Sequence, residues 1–131
     1  MPKERRRVVL VVDDDPDIRE TLADMLVDEG YRAIVADDGA EGIELALAHR
    51  PDVILVDQKM PGLSGLDVTR ELRARGSSAR VILTTASRGL RESAADAAAD
   101  GVLEKPLEIS ECLELIERVC ALGPQAEATV S

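Results

Sequence analysis

The stretch VVLVVDD, residues 8–14, is a run of five apolar residues that ends in two carboxylates. The stretch VILVD, residues 53–57, has the same form with one carboxylate. Short apolar runs rich in β-branched residues are typical of buried strands. If both are parallel strands of one sheet, their carboxyl ends lie at the edge where open α/β folds bind ligands. Asp13, Asp14 and Asp57 would then share one small site.

Three carboxylates at one sheet edge repel one another, and each is pushed towards its neutral form unless a cation lies among them. Mg²⁺ suits this donor set, because it is a hard ion that takes a few carboxylates together with water and phosphate oxygens. The sequence therefore predicts a Mg²⁺ site that handles phosphoryl groups.

Apolar runs alternate with amphipathic stretches along the chain, which predicts an α/β fold with a parallel sheet and helices on both of its faces. The first helix has the clearest signals. Asp15 is its predicted cap, Pro16 suits its first turn, and Gly30 ends it. The five strands are predicted near residues 8–12, 33–35, 53–56, 81–84 and 102–103.

The last predicted helix presents one apolar face before Gly123 and Pro124 end it. Its two cysteines lie about 12 Å apart along the axis, which is too far for a disulfide, so they are predicted to be small core residues. A helix rich in alanine is also predicted from Arg88 to Asp96. The apolar face of the last helix comprises Ile109, Cys112, Leu113, Ile116, Val119 and Cys120.

Composition indicates a single domain, since 131 residues with 45% hydrophobic content suffice for one core. Sixteen basic and 26 acidic residues give a net charge of −10, which opposes direct binding to nucleic acids or anionic membranes. Residues 1–4 lack the apolar stretch of a signal peptide, and no apolar run reaches the roughly 18 residues of a membrane span. A cytoplasmic protein is therefore expected.

Four motifs stand in the order and spacing of a known family: VDDDP at 12–16, VDQKMPG at 56–62, TTA at 84–86 and EKP at 104–106. Over residues 7–122 the chain resembles the receiver domains of bacterial two-component response regulators. The resemblance implies a five-stranded parallel sheet of flavodoxin-like strand order 2-1-3-4-5. Residues 123–131 are expected to form a flexible tail.

The resemblance also implies a role for each acidic residue of the site. Asp57 is expected to be the nucleophile that accepts a phosphoryl group from a histidine kinase or a phosphotransfer protein. Asp13, Asp14 and Asp57 are expected to bind Mg²⁺ with the backbone carbonyl of Lys59.

Two further residues acquire roles from the resemblance. Lys105 is expected to place its ammonium group on a phosphoryl oxygen, and Thr85 to donate its hydroxyl to the phosphoryl group and thereby start a switch. The expected output is contact with a downstream protein partner, with a possible homodimer on phosphorylation. No enzymatic activity is expected beyond the chain's own phosphorylation and dephosphorylation.

One departure from the family pattern concerns this switch. Receiver domains commonly carry Tyr or Phe three residues before the lysine, and here that position is Val102. The chain has no Phe or Trp, and its one aromatic residue is Tyr31. We therefore expect the signal to pass through aliphatic repacking or to take another output.

Two other function classes remain open on the sequence alone. Asp13 and Asp15 after an apolar strand also fit an aspartyl phosphatase of the haloacid dehalogenase type, in which Asp13 would be the nucleophile. That class expects a longer chain and a late acidic pair. The other class is an interaction module that needs no phosphorylation. The segment PGLSG at 61–65 has no Walker-loop spacing, and Gly62 and Gly65 are predicted to be turn residues.

Overall fold

A computed structural model describes residues 6–123, which alternate strands and helices from end to end. The strands are β1 (Val8–Val12), β2 (Arg32–Ala36), β3 (Val53–Asp57), β4 (Arg80–Thr85) and β5 (Gly101–Glu104). The helices are α1 (Pro16–Asp28), α2 (Gly39–His49), α3 (Gly65–Ala74), α4 (Arg91–Asp96) and α5 (Ile109–Ala121). All strand pairs are parallel, in the order β2-β1-β3-β4-β5. The predicted fold class and strand order are confirmed.

Both faces of the sheet are buried, which explains why its central strands are continuous apolar runs. Successive residues of β1 point to opposite faces, so Val9 and Val11 belong to an apolar cluster shared with α1 and α5, and Leu10 and Val12 to one shared with α2, α3 and α4. The core is therefore divided into two apolar layers. The buried carboxylates Asp13 and Asp57 lie at the carboxyl ends of β1 and β3.

Helix α1 begins where the sequence predicts. The carboxylate of Asp15 accepts hydrogen bonds from the backbone N–H groups of Asp17, at 2.9 Å, and Ile18, at 3.4 Å. Pro16 occupies the first turn, where its missing N–H group costs nothing. Gly30 follows the helix with a φ of 95°, a left-handed conformation that glycine adopts without strain. This cap fixes the turn after β1, which contains Asp13 and Asp14.

Helix α5 buries most of its predicted apolar face, but Ile109 is 56% exposed and that part of the prediction is wrong. The first turn of α5 lies at the carboxyl edge of the sheet and borders a cleft of about 360 Å³ that α1 also lines. Both cysteines are buried, as predicted. Burial raises the pKa of the Cys112 thiol to about 11, so this group stays protonated and behaves as a small apolar residue.

Helix α4 is shorter than the sequence indicates. It begins at Arg91 instead of Arg88 and has no side-chain hydrogen bond at its amino end. Gly89 has a φ of 82°, which a right-handed helix cannot include. The three residues before Arg91 therefore belong to the loop after β4.

Of the predicted tail, residues 124–131 lie outside the described part of the chain, so its flexibility stays a prediction. Within residues 6–123, no helix has both the length and the apolar composition that crossing a bilayer requires.

A buried charge network holds the amino ends of β4 and β5 together. Asp100 accepts from Arg80 Nη1 at 2.7 Å, from Arg73 Nη2 at 3.2 Å and from the Val81 backbone N–H at 2.9 Å. Arg73 also donates two bonds to the carbonyl oxygen of Ala98, at 2.9 and 3.1 Å. The Asp100 carboxylate pairs with both Arg73 and Arg80, so its removal takes an anionic partner from each of two mostly buried guanidinium groups.

We expect Asp100→Ala to lower the free energy of unfolding by about 3 kcal/mol, the scale for breaking a buried ion pair. Glu71→Ala is the matched control, because Glu71 pairs with Arg75 on an exposed part of α3 and such pairs contribute under about 1 kcal/mol. Urea unfolding followed by circular dichroism measures both. Equal effects of the two substitutions would contradict a stabilising role for the buried network.

Candidate functional site

The site lies at the carboxyl edge of the two neighbouring strands β1 and β3. Val12 is the register partner of Val56, so the next residues, Asp13 and Asp57, leave the sheet side by side. Asp13, Asp14 and Asp57 each offer a carboxylate oxygen, and these atoms lie within 4.8 Å of one another. Asp13 and Asp57 are only 2% and 7% exposed, whereas Asp14 is exposed. The predicted grouping of carboxylates is thus present.

Asp13 is held in place from both its backbone and its side chain. Its Oδ1 accepts from the Asp15 backbone N–H at 2.9 Å, and its carbonyl oxygen accepts from Arg19 Nη1 at 2.8 Å. Burial raises the pKa of Asp13 above its ordinary value, and nearby Asp57 adds to this effect. The Asp15 N–H and the Lys105 ammonium oppose the rise without cancelling it. Charge on Asp13 is therefore unfavourable in the metal-free site.

Lys105 places a cation on the acidic cluster. Its Nζ lies 3.2 Å from Asp57 Oδ1 and 3.9 Å from Asp13 Oδ2. The Lys105 backbone N–H donates to the Thr85 carbonyl oxygen at 2.7 Å, which fixes the loop after β5 against the end of β4. One ammonium group beside three carboxylates leaves an excess of negative charge in the site.

Thr85 ends β4 on the other side of β3 and is buried. Its Oγ1 accepts from the Ser87 backbone N–H at 2.9 Å, and a hydroxyl that accepts one hydrogen bond can still donate its own proton. Val102, in place of the aromatic residue, is buried in the apolar layer that also contains Leu83 and Ala94. Aliphatic side chains therefore fill the space between β5 and α4.

The loop between β3 and α3 contains a residue that the sequence prediction missed. The Gln58 side chain reaches across the loop, and its Oε1 accepts from the Leu66 backbone N–H at 2.9 Å. The preceding strand offers no signal for this contact, because a glutamine next to a strand is more often solvated. Lys59, which follows Gln58, is exposed and forms no ion pair within residues 6–123. A metal-binding role for its carbonyl stays a prediction.

The chain matches the family model of the response regulator receiver domain over residues 9–117. It belongs to this family. The predicted family is confirmed, and the match decides against the phosphatase of the haloacid dehalogenase type. The four motifs of the receiver domain thus lie where its strands β1, β3, β4 and β5 end.

Named relatives support the same assignment. The transcriptional regulatory protein PdtaR of Mycobacterium tuberculosis is 42% identical over 113 residues, which are 85% of this chain and 55% of that protein. The chain spans about half the length of the curated relatives it matches.

Solved structures give the same fold. The chemotaxis protein CheY4 of Vibrio cholerae superposes with a TM-score of 0.84 at 28% identity, covering 88% of this chain and 99% of that one. The response regulator TrrA of Thermotoga maritima, in complex with Mg²⁺ and BeF, has a TM-score of 0.79 at 35% identity, covering 86% and 98%.

We expect Asp13→Asn to raise the melting temperature of the metal-free receiver domain by a few degrees at neutral pH. The amide keeps an oxygen for the Asp15 N–H and removes a charge whose formation burial disfavours. Asp13 has a raised pKa when folded, so its ionisation destabilises the fold above that pKa and costs less as the pH falls towards the ordinary value of 3.8. The difference between variant and parent should therefore vanish in acid.

Thermal melting in chelator at several pH values measures this effect. Asp14→Asn is the matched control, and because Asp14 is exposed its effect should be smaller. A neutral-pH melting temperature lower for Asp13→Asn than for the parent would contradict the stated electrostatics.

Proposed function

We propose that the chain accepts a phosphoryl group on Asp57 from a histidine kinase or a phosphotransfer protein, in a Mg²⁺-dependent reaction. The observation that carries the proposal is the buried Asp57 carboxylate, which lies in an acidic cluster and has Lys105 Nζ at 3.2 Å. A carboxylate that only stabilised the fold would gain nothing from two further carboxylates beside it. The arrangement suits a site that receives a cation and a phosphoryl group.

The donor set fits Mg²⁺. Asp13, Asp14 and Asp57 present hard oxygen atoms close together, and the exposure of Asp14 leaves the site open to the water molecules that Mg²⁺ retains. Burial and the neighbouring Asp57 raise the pKa of Asp13, so a cation beside this carboxylate would favour its charged form. These residues, with the carbonyl of Lys59, would hold the ion. When bound, Mg²⁺ supplies positive charge that neutralises the phosphoryl oxygens.

The residues of the chain then have distinct tasks in phosphoryl transfer. An Asp57 carboxylate oxygen forms the new bond to phosphorus as the bond from phosphorus to the donor imidazole nitrogen breaks. Lys105 is within reach of the phosphoryl oxygens, because its ammonium group already lies against Asp57. Thr85 donates its hydroxyl to the transferred group. Most of the catalysis is positioning and charge neutralisation.

The proposed output is a phosphorylation-dependent contact with a downstream protein partner, or with a second copy of the chain. A net charge of −10 disfavours direct contact with nucleic acid. We propose that the chain acts in signalling in the cytoplasm. It would catalyse only its own phosphorylation and dephosphorylation. The buried Val102 favours a switch that proceeds by rearrangement of aliphatic side chains between β5 and α4.

Incubation with acetyl phosphate and Mg²⁺ is expected to add one phosphoryl group to the chain, and Asp57→Asn should abolish the addition, since an amide cannot form the acyl phosphate. Intact-mass measurement followed by peptide mapping reads out the result. Asp24→Asn, which changes an exposed carboxylate of α1, is the control and should be phosphorylated normally. Equal phosphorylation of Asp57→Asn, or modification at Asp13, would overturn the proposal.

Hydrolysis of the acyl phosphate is expected to accelerate in Lys59→Ala. The exposed Lys59 lies two residues after Asp57, and its side chain is proposed to lie across the phosphoryl group and obstruct an attacking water. Lowering this barrier by about 1 kcal/mol corresponds to roughly fivefold faster decay. Lys59→Arg keeps a long cationic side chain and is the control with slow decay.

The measurement is the first-order loss of phosphate after removal of the donor, with Mg²⁺ saturating for every variant. Both substitutions keep the backbone carbonyl at position 59. Decay in Lys59→Ala that is equal to or slower than in the parent would show that the lysine does not shield the acyl phosphate.

A further inference from the structure

Two backbone donors at the amino end of α3 depend on one residue. Its first two N–H groups, those of Gly65 and Leu66, need acceptors from outside the helix. Gly65 donates to the Gln58 carbonyl oxygen at 3.0 Å, and Leu66 donates to the Gln58 Oε1 at 2.9 Å. Gln58 thus satisfies two adjacent donors of the helix, once with its backbone and once with its side chain.

A separate cap serves the other two donors of this helix end. Ser64 Oγ accepts from the Asp67 N–H at 3.1 Å, and the Asp67 carboxylate accepts from the Ser64 N–H at 3.0 Å. This reciprocal pair is a capping box, whose two bonds join Ser64 and Asp67 to each other and stabilise the helix end. Helix stability and attachment to β3 are therefore carried by different residues, which allows the two to be tested separately.

Gly65 brings the helix end close to the backbone of the proposed phosphoryl acceptor. A Cβ at this position would lie 2.8 Å from the Asp57 carbonyl oxygen and 3.0 Å from Gln58 Cα. The sequence prediction of Gly65 as a turn residue is wrong, because it is the first residue of α3 and its lack of a side chain permits this approach. Gly62, with a φ of 81°, is the turn residue.

The contacts of Gln58 bear on the proposed Mg²⁺ site, because its two neighbours in the chain both belong to that site. Gln58 lies between Asp57, the proposed phosphoryl acceptor, and Lys59, the proposed source of a carbonyl ligand. The Gln58 N–H also donates to the Thr84 carbonyl oxygen at 2.8 Å. Its backbone is therefore fixed to β4 on one side and to α3 on the other, and the side-chain bond to Leu66 closes the loop that follows.

We propose that Gln58 is a positioning residue for Mg²⁺, which holds the loop between β3 and α3 so that the Lys59 carbonyl faces the carboxylates. This inference rests on the proposed Mg²⁺-dependent function. Gln58 itself contacts neither the ion nor the phosphoryl group. Its effect passes through the backbone of Lys59, in the way that residues supporting a ligand set the affinity of a metal site.

Gln58→Met tests the inference, because methionine has a similar length but provides no oxygen for the Leu66 N–H. Ser64→Ala is the matched control, since it weakens the same helix end through the capping box and leaves the Gln58 bond intact. Mg²⁺ affinity is measured by calorimetry on the full chain. We expect it to fall about tenfold in Gln58→Met and to change less than twofold in Ser64→Ala, although both variants lower the melting temperature.

A metal-free readout accompanies the affinity. In Gln58→Met the Leu66 amide should exchange its hydrogen faster than in the parent, and in Ser64→Ala it should not. Equal Mg²⁺ affinity in Gln58→Met and the parent, or equal weakening in both variants, would overturn the positioning role. Either of these results would leave the proposed function standing. Failure of the unsubstituted chain to bind Mg²⁺, in contrast, would overturn the proposed function and this inference together.

Discussion

The crowding of three carboxylates at one sheet edge is the constraint on which the rest of this structure depends. The register between β1 and β3 does not allow Asp13 and Asp57 to separate, because the residues before them, Val12 and Val56, are paired neighbours. Burial makes the repulsion stronger, since charges in a low-dielectric environment are poorly screened. Burial is the main cause of the raised pKa of Asp13, repulsion from Asp57 adds to it, and the nearby ammonium of Lys105 opposes it only in part. The site therefore favours a cation, which is the physical basis of the proposed phosphoryl transfer.

Such a site requires a scaffold that cannot relax around it. The two apolar layers supply that rigidity, because helices close both faces of the sheet over densely packed aliphatic side chains. The loops that carry charge are then fixed individually: Asp15 caps α1, Arg19 binds the Asp13 carbonyl, and the Lys105 N–H binds the Thr85 carbonyl. Hydrogen bonds formed outside the acidic cluster therefore keep its repelling carboxylates close together.

The sequence predicts those features that depend on short-range patterns. The strands, the Asp15 cap and the meeting of Asp13, Asp14 and Asp57 follow from apolar runs and from the geometry of parallel sheets, while the strand order needed the family resemblance. The errors have a different origin. Ile109 follows the helical period of α5 but is 56% exposed in its first turn, and a helical period does not record which turns other elements cover. The roles of Gln58 and Gly65 depend on how closely α3 approaches β3, which no local pattern records.

The two ends of α4 are held unequally, and this bears on how a receiver without an aromatic switch residue can respond. After α4, Ala98 adopts a φ of 65°, which is unfavourable for a residue with a side chain. The two bonds from Arg73 to its carbonyl oxygen stabilise that conformation, and Asp100 anchors Arg73 in turn. The amino end has no side-chain cap and follows the loop that begins beside Thr85. In the proposed switch, a movement of Thr85 towards the phosphoryl group would act on the amino end of α4, which has no side-chain cap, and the end held by Arg73 would serve as the pivot. Val102 of β5 and Ala94 of α4 belong to the same apolar cluster. Aliphatic packing therefore resists that movement, and such side chains can shift past one another without breaking a hydrogen bond.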